Sequence, residues 1–135
     1  MRVLVTGFGP FPGAPVNPTQ QIVKNLARTR RIAGHKIAAH VYTTSYAAVD
    51  RDLPRLIAKH RPHAVVMFGL AAKTSHIRIE TLAYNEITQK QVDVTGAKPK
   101  DAAIRASRNT ALRGRASFIQ LVNAARAAGR HERRA

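Results

Sequence analysis

The chain contains no cysteine at all and only seven acidic residues among 135. Without a thiol, these residues offer no disulfide, no thiolate metal site and no cysteine nucleophile. A long apolar run is missing as well. The longest, Ala64–Ala72 (AVVMFGLAA), has nine residues, far short of the ~20 that a membrane-spanning helix needs. Residues 2–6 are too short a run for a signal peptide, and glycine and proline follow at once. Together these absences predict a soluble, cytoplasmic protein with no membrane partner.

What is present is a 44% hydrophobic composition, enough at this length for one domain with a buried core. The acids Asp50, Asp52, Glu80, Glu86, Asp93, Asp101 and Glu132 leave residues 102–131 with none, and the net charge is +16. Such a charge attracts polyanions, so a basic α/β module holding RNA or DNA through the Arg-rich C-terminal third is the alternative function. No aromatic-basic strand motif or recognition-helix pattern accompanies the charge, so a solvated basic surface is the plainer explanation of it.

Residues 2–6 read as a short buried strand ending at Gly7. Asn17-Pro18-Thr19-Gln20 is a helix start, with asparagine as cap and proline in the first helical position. Ile22, Val23, Leu26 and Ala27 give that helix one apolar face. Lys36–Thr43 is a second strand, and a helix covers about Ala47–His60. Pro54 implies either a kink there or a later start near Asp52. Ala64–Leu70 reads as a central parallel strand covered on both faces. The alternation predicts an α/β fold: three layers, α/β/α, around a mostly parallel central sheet, in a single domain over 1–135. Ile77–Leu82 alternates apolar and polar residues like a further, half-exposed strand. Residues 86–116 show no periodicity. Ser117-Phe-Ile-Gln120 is a capping box opening a helix that Gly129 stops, and 130–135 form an atypical tail.

The loop after the first strand, Gly7-Phe-Gly-Pro-Phe-Pro-Gly13, looks at first like a phosphate cradle. A dinucleotide fingerprint needs its third glycine one residue earlier and a helix beginning inside the motif. Pro10 and Pro12 also remove amide donors from the segment that should supply them, and no Gly-Lys-Ser/Thr follows. Phe8 and Phe11 stand instead at the carboxyl end of the first strand, where open α/β sheets bind ligands. From spacing alone they either plug the sheet edge or clamp a small flat ring.

At this point the sequence resembles the pyroglutamyl peptidase I (pyrrolidone-carboxylate peptidase) family. The resemblance rests on GFGPF followed by Asn17-Pro18-Thr19, and on Phe68–Asn85 (FGLAAKTSHIRIETLAYN), with a weaker match at Leu121–Gly129 (LVNAARAAG). It implies a cysteine peptidase that removes N-terminal pyroglutamate from peptides, with no cofactor and no metal. Phe8, Phe11 and Leu70 would then contact the lactam ring, and Glu80 would be the acid of the catalytic trio, orienting a histidine. Read without the family, Glu80 is an exposed strand carboxylate paired with an arginine such as Arg78.

There are departures. Ala72-Lys73-Thr74 stands where family members often carry Gly-Gly-Arg or Gly-Arg, and Thr81 where an arginine follows the glutamate. The family's nucleophilic cysteine and catalytic histidine come after the counterpart of Leu121–Gly129, so a C-terminally truncated chain, inactive alone, is expected. Ser45, Ser75, Ser107 and Ser117 lie in no Gly-x-Ser-x-Gly setting, and His131 in the tail does not fit a triad. His60-Arg-Pro-His63 has a helix-breaking proline between its imidazoles and no accompanying carboxylate, so a helix-end cap and a surface residue are expected there, and His35, His40 and His76 in or beside strands are expected to be structural. The expected partners are a pyroglutamyl peptide and, where the fold self-associates, a second copy in a homo-oligomer. Losing the last strands of such a sheet would leave an apolar edge exposed.

Overall fold

A computed structural model describes residues 1–132, with side chains up to Gly129; the tail's His131 side chain lies outside the described residues. The chain groups into two compact units, one built from Met1–Ala71 with Gln89–Lys100, the other from Ala72–Thr88 with the residues from Asp101 on.

The first unit is an α/β sandwich. Strand β1 (Arg2–Phe8) lies between β3 (His35–Tyr42) and β4 (Ala64–Met67), parallel to both, and the two-residue β2 (Arg31–Ile32) adds antiparallel to the outside of β3. Ala33 and Gly34, with φ of 47° and 80°, form the tight turn between β2 and β3, the left-handed pair that a two-residue hairpin of this hand requires. Helix α1 (Pro18–Thr29) begins as its sequence dictates. The Asn17 side chain accepts the Thr19 amide at 3.1 Å and Pro18 occupies the first turn. Helix α2 (Tyr46–His60) starts earlier than Asp52, because Ser45 caps it by accepting the Ala48 amide at 3.2 Å. Pro54 therefore sits inside the helix, where its missing N–H removes one internal bond.

Side-chain alternation sorts the two helices onto opposite faces of the sheet. Gly7 meets Thr19 and Val23 of α1. Thr6 and its parallel partner His40 point the other way, where His40 Nε2 lies 3.5 Å from the Asp52 carboxylate of α2. Right-handed crossovers explain this: β1 to β3 runs one way across the sheet and β3 to β4 runs back past β1. The carboxyl end of β1 is thus the point where the connections diverge, the place such sheets offer to ligands. Leu4, Val5, Val23, Tyr42 and Ala48 form the buried core around it.

One strand departs from expectation. β4 ends at Met67 rather than Leu70, although the Phe68 amide still reaches the Thr6 carbonyl at 2.8 Å. It is an edge strand and not a central one, and Val65, Val66 and Met67 remain 41%, 41% and 49% exposed. Its apolar run suits burial on both faces, but among the described residues β1 is its one strand partner and α2 packs on β1 and β3.

The second unit holds an antiparallel pair, β5 (Leu82–Tyr84) with β6 (Ala111–Arg113), and helix α3 (Phe118–Glu132). The expected strand over Ile77–Leu82 is absent, since ladder pairing begins only at Leu82. The stretch read as irregular contributes β6, whose three residues take their conformation from β5 and not from any periodicity of their own. Gly129 does not stop α3, which runs on to Glu132.

Candidate functional site

The loop that follows β1 is held by side chains from three directions. The Phe8 amide donates to Thr19 Oγ1 at 3.0 Å, and that hydroxyl lies 2.8 Å from Asn17 Oδ1. The Gly9 amide donates to the Tyr42 carbonyl at 2.9 Å. The Gly9 carbonyl accepts both the Asn17 side-chain amide at 3.0 Å and the Thr44 hydroxyl at 2.8 Å. Beyond it, Phe11-Pro12-Gly13-Ala14 closes on itself, with Phe11 and Ala14 exchanging backbone bonds of 3.1 and 2.9 Å. Gly13 has φ of 90°, so proline and glycine fill the two central positions of a type II turn, each where its own backbone preference places it.

This pattern decides the phosphate question. The amides of Phe8, Gly9, Phe11 and Ala14 are all engaged inside the protein, and Pro10 and Pro12 have none. A phosphate cradle presents a run of unpaired N–H groups to its ligand, and this loop has committed these four and lacks the two at its prolines.

Apolar surface remains. Phe8 and Phe11 are half-buried, Phe8 packing on Tyr42 with ring centroids 5.5 Å apart and planes tilted by 41°. Tyr42 is fully buried, and that burial pushes its phenol pKa up. Its ring also meets that of His40 at 70°, with centroids 4.9 Å apart. Leu70, half-buried, follows β4 at the same carboxyl end of the sheet as Phe8 and Phe11. Three of the four expected site residues therefore lie at or just beyond the carboxyl ends of the parallel strands β1 and β4.

The fourth, Glu80, belongs to the second unit. It lies outside any helix or strand, with its side chain 70% exposed and Oε1 2.9 Å from Arg78 Nη2. This is the pairing that the residue pattern alone predicts for it. Nearby, Asn85 is a clamp. Its Oδ1 accepts the amides of Ile104 and Arg105 at 3.0 Å each, and its Nδ2 donates to the Arg105 carbonyl at 2.9 Å.

Several other polar residues turn out to have structural duties. His63 Nδ1 accepts the Arg2 amide at 3.0 Å, tying the start of β1 to the end of the α2 turn. Ser45 is the α2 cap, and Ser107 accepts the Asn109 amide. Among the described residues no group of histidines and carboxylates could hold a metal ion, and no helix is long and apolar enough to cross a membrane.

One residue that the sequence reading passed over stands out. Asp93 is 8% exposed. Its Oδ1 accepts the Thr95 hydroxyl at 2.6 Å and the amides of Thr95 and Ala97 at 2.8 and 3.1 Å, and its Oδ2 accepts the Tyr46 amide at 3.0 Å. The Thr95 hydroxyl, aided by these amides, holds the carboxyl below the ordinary aspartate range although desolvation works against it. The signal was legible: Asp93-Val-Thr-Gly96 is an aspartate turn closed by a glycine at φ of 80°.

The sequence model of the family described as Pyroglutamyl peptidase matches residues 1–130. The chain belongs to the pyroglutamyl peptidase family. It is 38% identical to the pyrrolidone-carboxylate peptidase of Thermococcus kodakarensis over 104 residues, which is 77% of this chain and 50% of that one. It is 35% identical to pyrrolidone-carboxylate peptidase 1 of Ralstonia nicotianae over 127 residues, 94% of this chain and 59% of the relative. Among solved structures, the pyrrolidone carboxyl peptidase of Thermococcus litoralis superposes with a TM-score of 0.87 at 30% identity, covering 95% of this chain and 58% of that one. A variant of the Pyrococcus furiosus enzyme gives 0.88 at 29% identity, covering 96% and 62%. The chain thus spans about half to three fifths of the length of its pyroglutamyl peptidase relatives, and the three-layer, mostly parallel fold is common to both.

Proposed function

We propose that these residues form the ring-recognition part of a pyroglutamyl-peptidase site. Phe8, Phe11 and Leu70 contact the lactam of an N-terminal pyroglutamyl residue, and Glu80 supplies the carboxylate that orients a catalytic histidine. The observation that carries this reading is the loop itself: two half-buried phenylalanines beside a turn closed by the Phe11 and Ala14 amides, at the carboxyl end of β1. A small, flat, uncharged ring is the ligand such a surface suits. Glu80 can take its role by exchanging the solvent-exposed Arg78 for an imidazolium, a pair of low cost to break.

Hydrolysis needs a nucleophile to attack the amide carbonyl, and with no cysteine in the sequence these 135 residues do not supply the family's own. Recognition without turnover follows. The test is an NMR titration of the purified chain with L-pyroglutamyl amide, with L-prolinamide as the control lacking the lactam carbonyl. Saturable shifts at Phe8, Phe11 and Leu70, lost in Phe11→Ala, are expected with the lactam alone. Shifts confined to other parts of the chain would reject the ring site, and release of chromophore from a pyroglutamyl anilide would reject the inactive reading.

A further inference from the structure

The segment 89–100 belongs to the first unit although it lies beyond residue 72 in sequence. Two contacts hold it there at the turn that precedes α2. Asp93 Oδ2 accepts the amide of Tyr46, the first residue of α2, and the Val94 amide donates to the Thr44 carbonyl at 3.2 Å. Thr44 in turn donates its hydroxyl to the Gly9 carbonyl at 2.8 Å. Gly9 lies between Phe8 and the Pro10-Phe11 turn. A continuous run of short bonds therefore links the Asp93 carboxylate, the 44–46 turn and the loop carrying both phenylalanines.

We propose that Asp93 is a positioning residue for the Phe8–Phe11 loop, acting through Thr44. Its carboxylate spends one oxygen closing its own turn on Thr95 and Ala97 and the other on α2, so 89–100 is fastened as a rigid brace and not as a loose flap. The brace fixes the Thr44 backbone, and with it the direction of the hydroxyl that steadies Gly9. An ionised, nearly buried acceptor suits this task, since charge-assisted bonds to backbone amides are shorter and stronger than neutral ones. The importance of the arrangement for ligand binding rests on the ring-site reading above. The coupling itself is measurable without a ligand.

The measurement is amide hydrogen exchange by NMR on the intact chain, read at Gly9 and Phe11, with Leu4 and Val5 of β1 as the internal reference. Asp93→Ala should speed exchange at Gly9 and Phe11 on the order of tenfold while the reference amides stay within about twofold. Thr44→Val should loosen the same two amides yet leave Thr95 and Ala97 protected. Asp93→Asn keeps an oxygen for Thr95 and Ala97 but loses an acceptor toward Tyr46, and should fall between parent and Asp93→Ala. The proposal is overturned if Asp93→Ala frees Thr95 and Ala97 while Gly9 and Phe11 keep their protection. It is equally overturned if Asp93→Ala loosens β1 as much as the loop and Thr44→Val leaves Gly9 unchanged. With L-pyroglutamyl amide added, the variants should bind several-fold more weakly than the parent. A parent that binds none, but whose loop still responds to Asp93, would remove the ring-site reading and leave the coupling intact.

Discussion

Gly7 shows how tightly single residues are specified here. A Cβ built at Gly7 would lie 2.8 Å from the Thr19 carbonyl oxygen and 2.8 Å from Val23 Cγ2, and Val23 is 1% exposed. Backbone cannot step aside as a side-chain tip can. Gly7→Ala should therefore destabilise the fold by about 1–3 kcal/mol, seen as a lower urea midpoint with an unchanged slope. Asp93 gives a prediction in pH. Its folded pKa lies below its unfolded value, so its contribution is present above about pH 4 and fades as pH falls through the folded pKa. The urea midpoint of the parent should drop more between neutral and acid pH than that of Asp93→Asn; equal drops would refute the assignment. At this scale the sequence was unevenly readable. Asn17 announced itself as a cap. Thr19 and Thr44 gave no such notice, because a threonine hydroxyl that serves a carbonyl or amide far off in sequence has no local pattern.

Elements were legible in proportion to how far their own residues decide them. α1 carries its cap, its first-turn proline and its apolar stripe within a dozen residues, and it forms where those signals place it. β1 runs two residues beyond the end its apolar run suggests, and β3 begins and ends one residue earlier than expected. β2 and β6, of two and three residues, exist through pairing with a neighbour and are invisible to periodicity. β4 misleads in the opposite direction, since its composition asks for a central place and the described chain gives it an edge. Alternate amides of a parallel edge strand face away from its partner, and an apolar one is prone to recruit another strand. Val66→Lys, on a residue already 41% exposed, should raise the concentration at which the chain self-associates in light scattering, with little loss of stability. An unchanged threshold would show that this edge is not what brings copies together.

Across the whole molecule, charge and site obey different rules. Arg105, Arg108, Arg113, Arg115 and Arg126 are all exposed, and the net charge of +16 is spread over the chain without an accompanying base-reading motif. Adsorption to single-stranded RNA should therefore be weak, indifferent to oligonucleotide length per site, and largely lost between about 50 and 200 mM salt. Persistent binding at the higher salt would favour a dedicated nucleic-acid surface. The family and the α/β fold could be read from two motifs and an alternation of strands and helices. The role of Glu80 could not be read in the same way, because a carboxylate beside an arginine looks alike on an idle surface and in a catalytic trio.

The internally bonded loop at Gly9–Ala14 carries its own consequence for selectivity. With the amides of Gly9, Phe11 and Ala14 already spoken for and its shape set before any guest arrives, it has little means of sensing formal charge and little ordering left to undergo. Guests should be graded there by outline and surface match, so their affinity ought to stay nearly flat as ionic strength rises, on a protein whose exterior responds to every added ion.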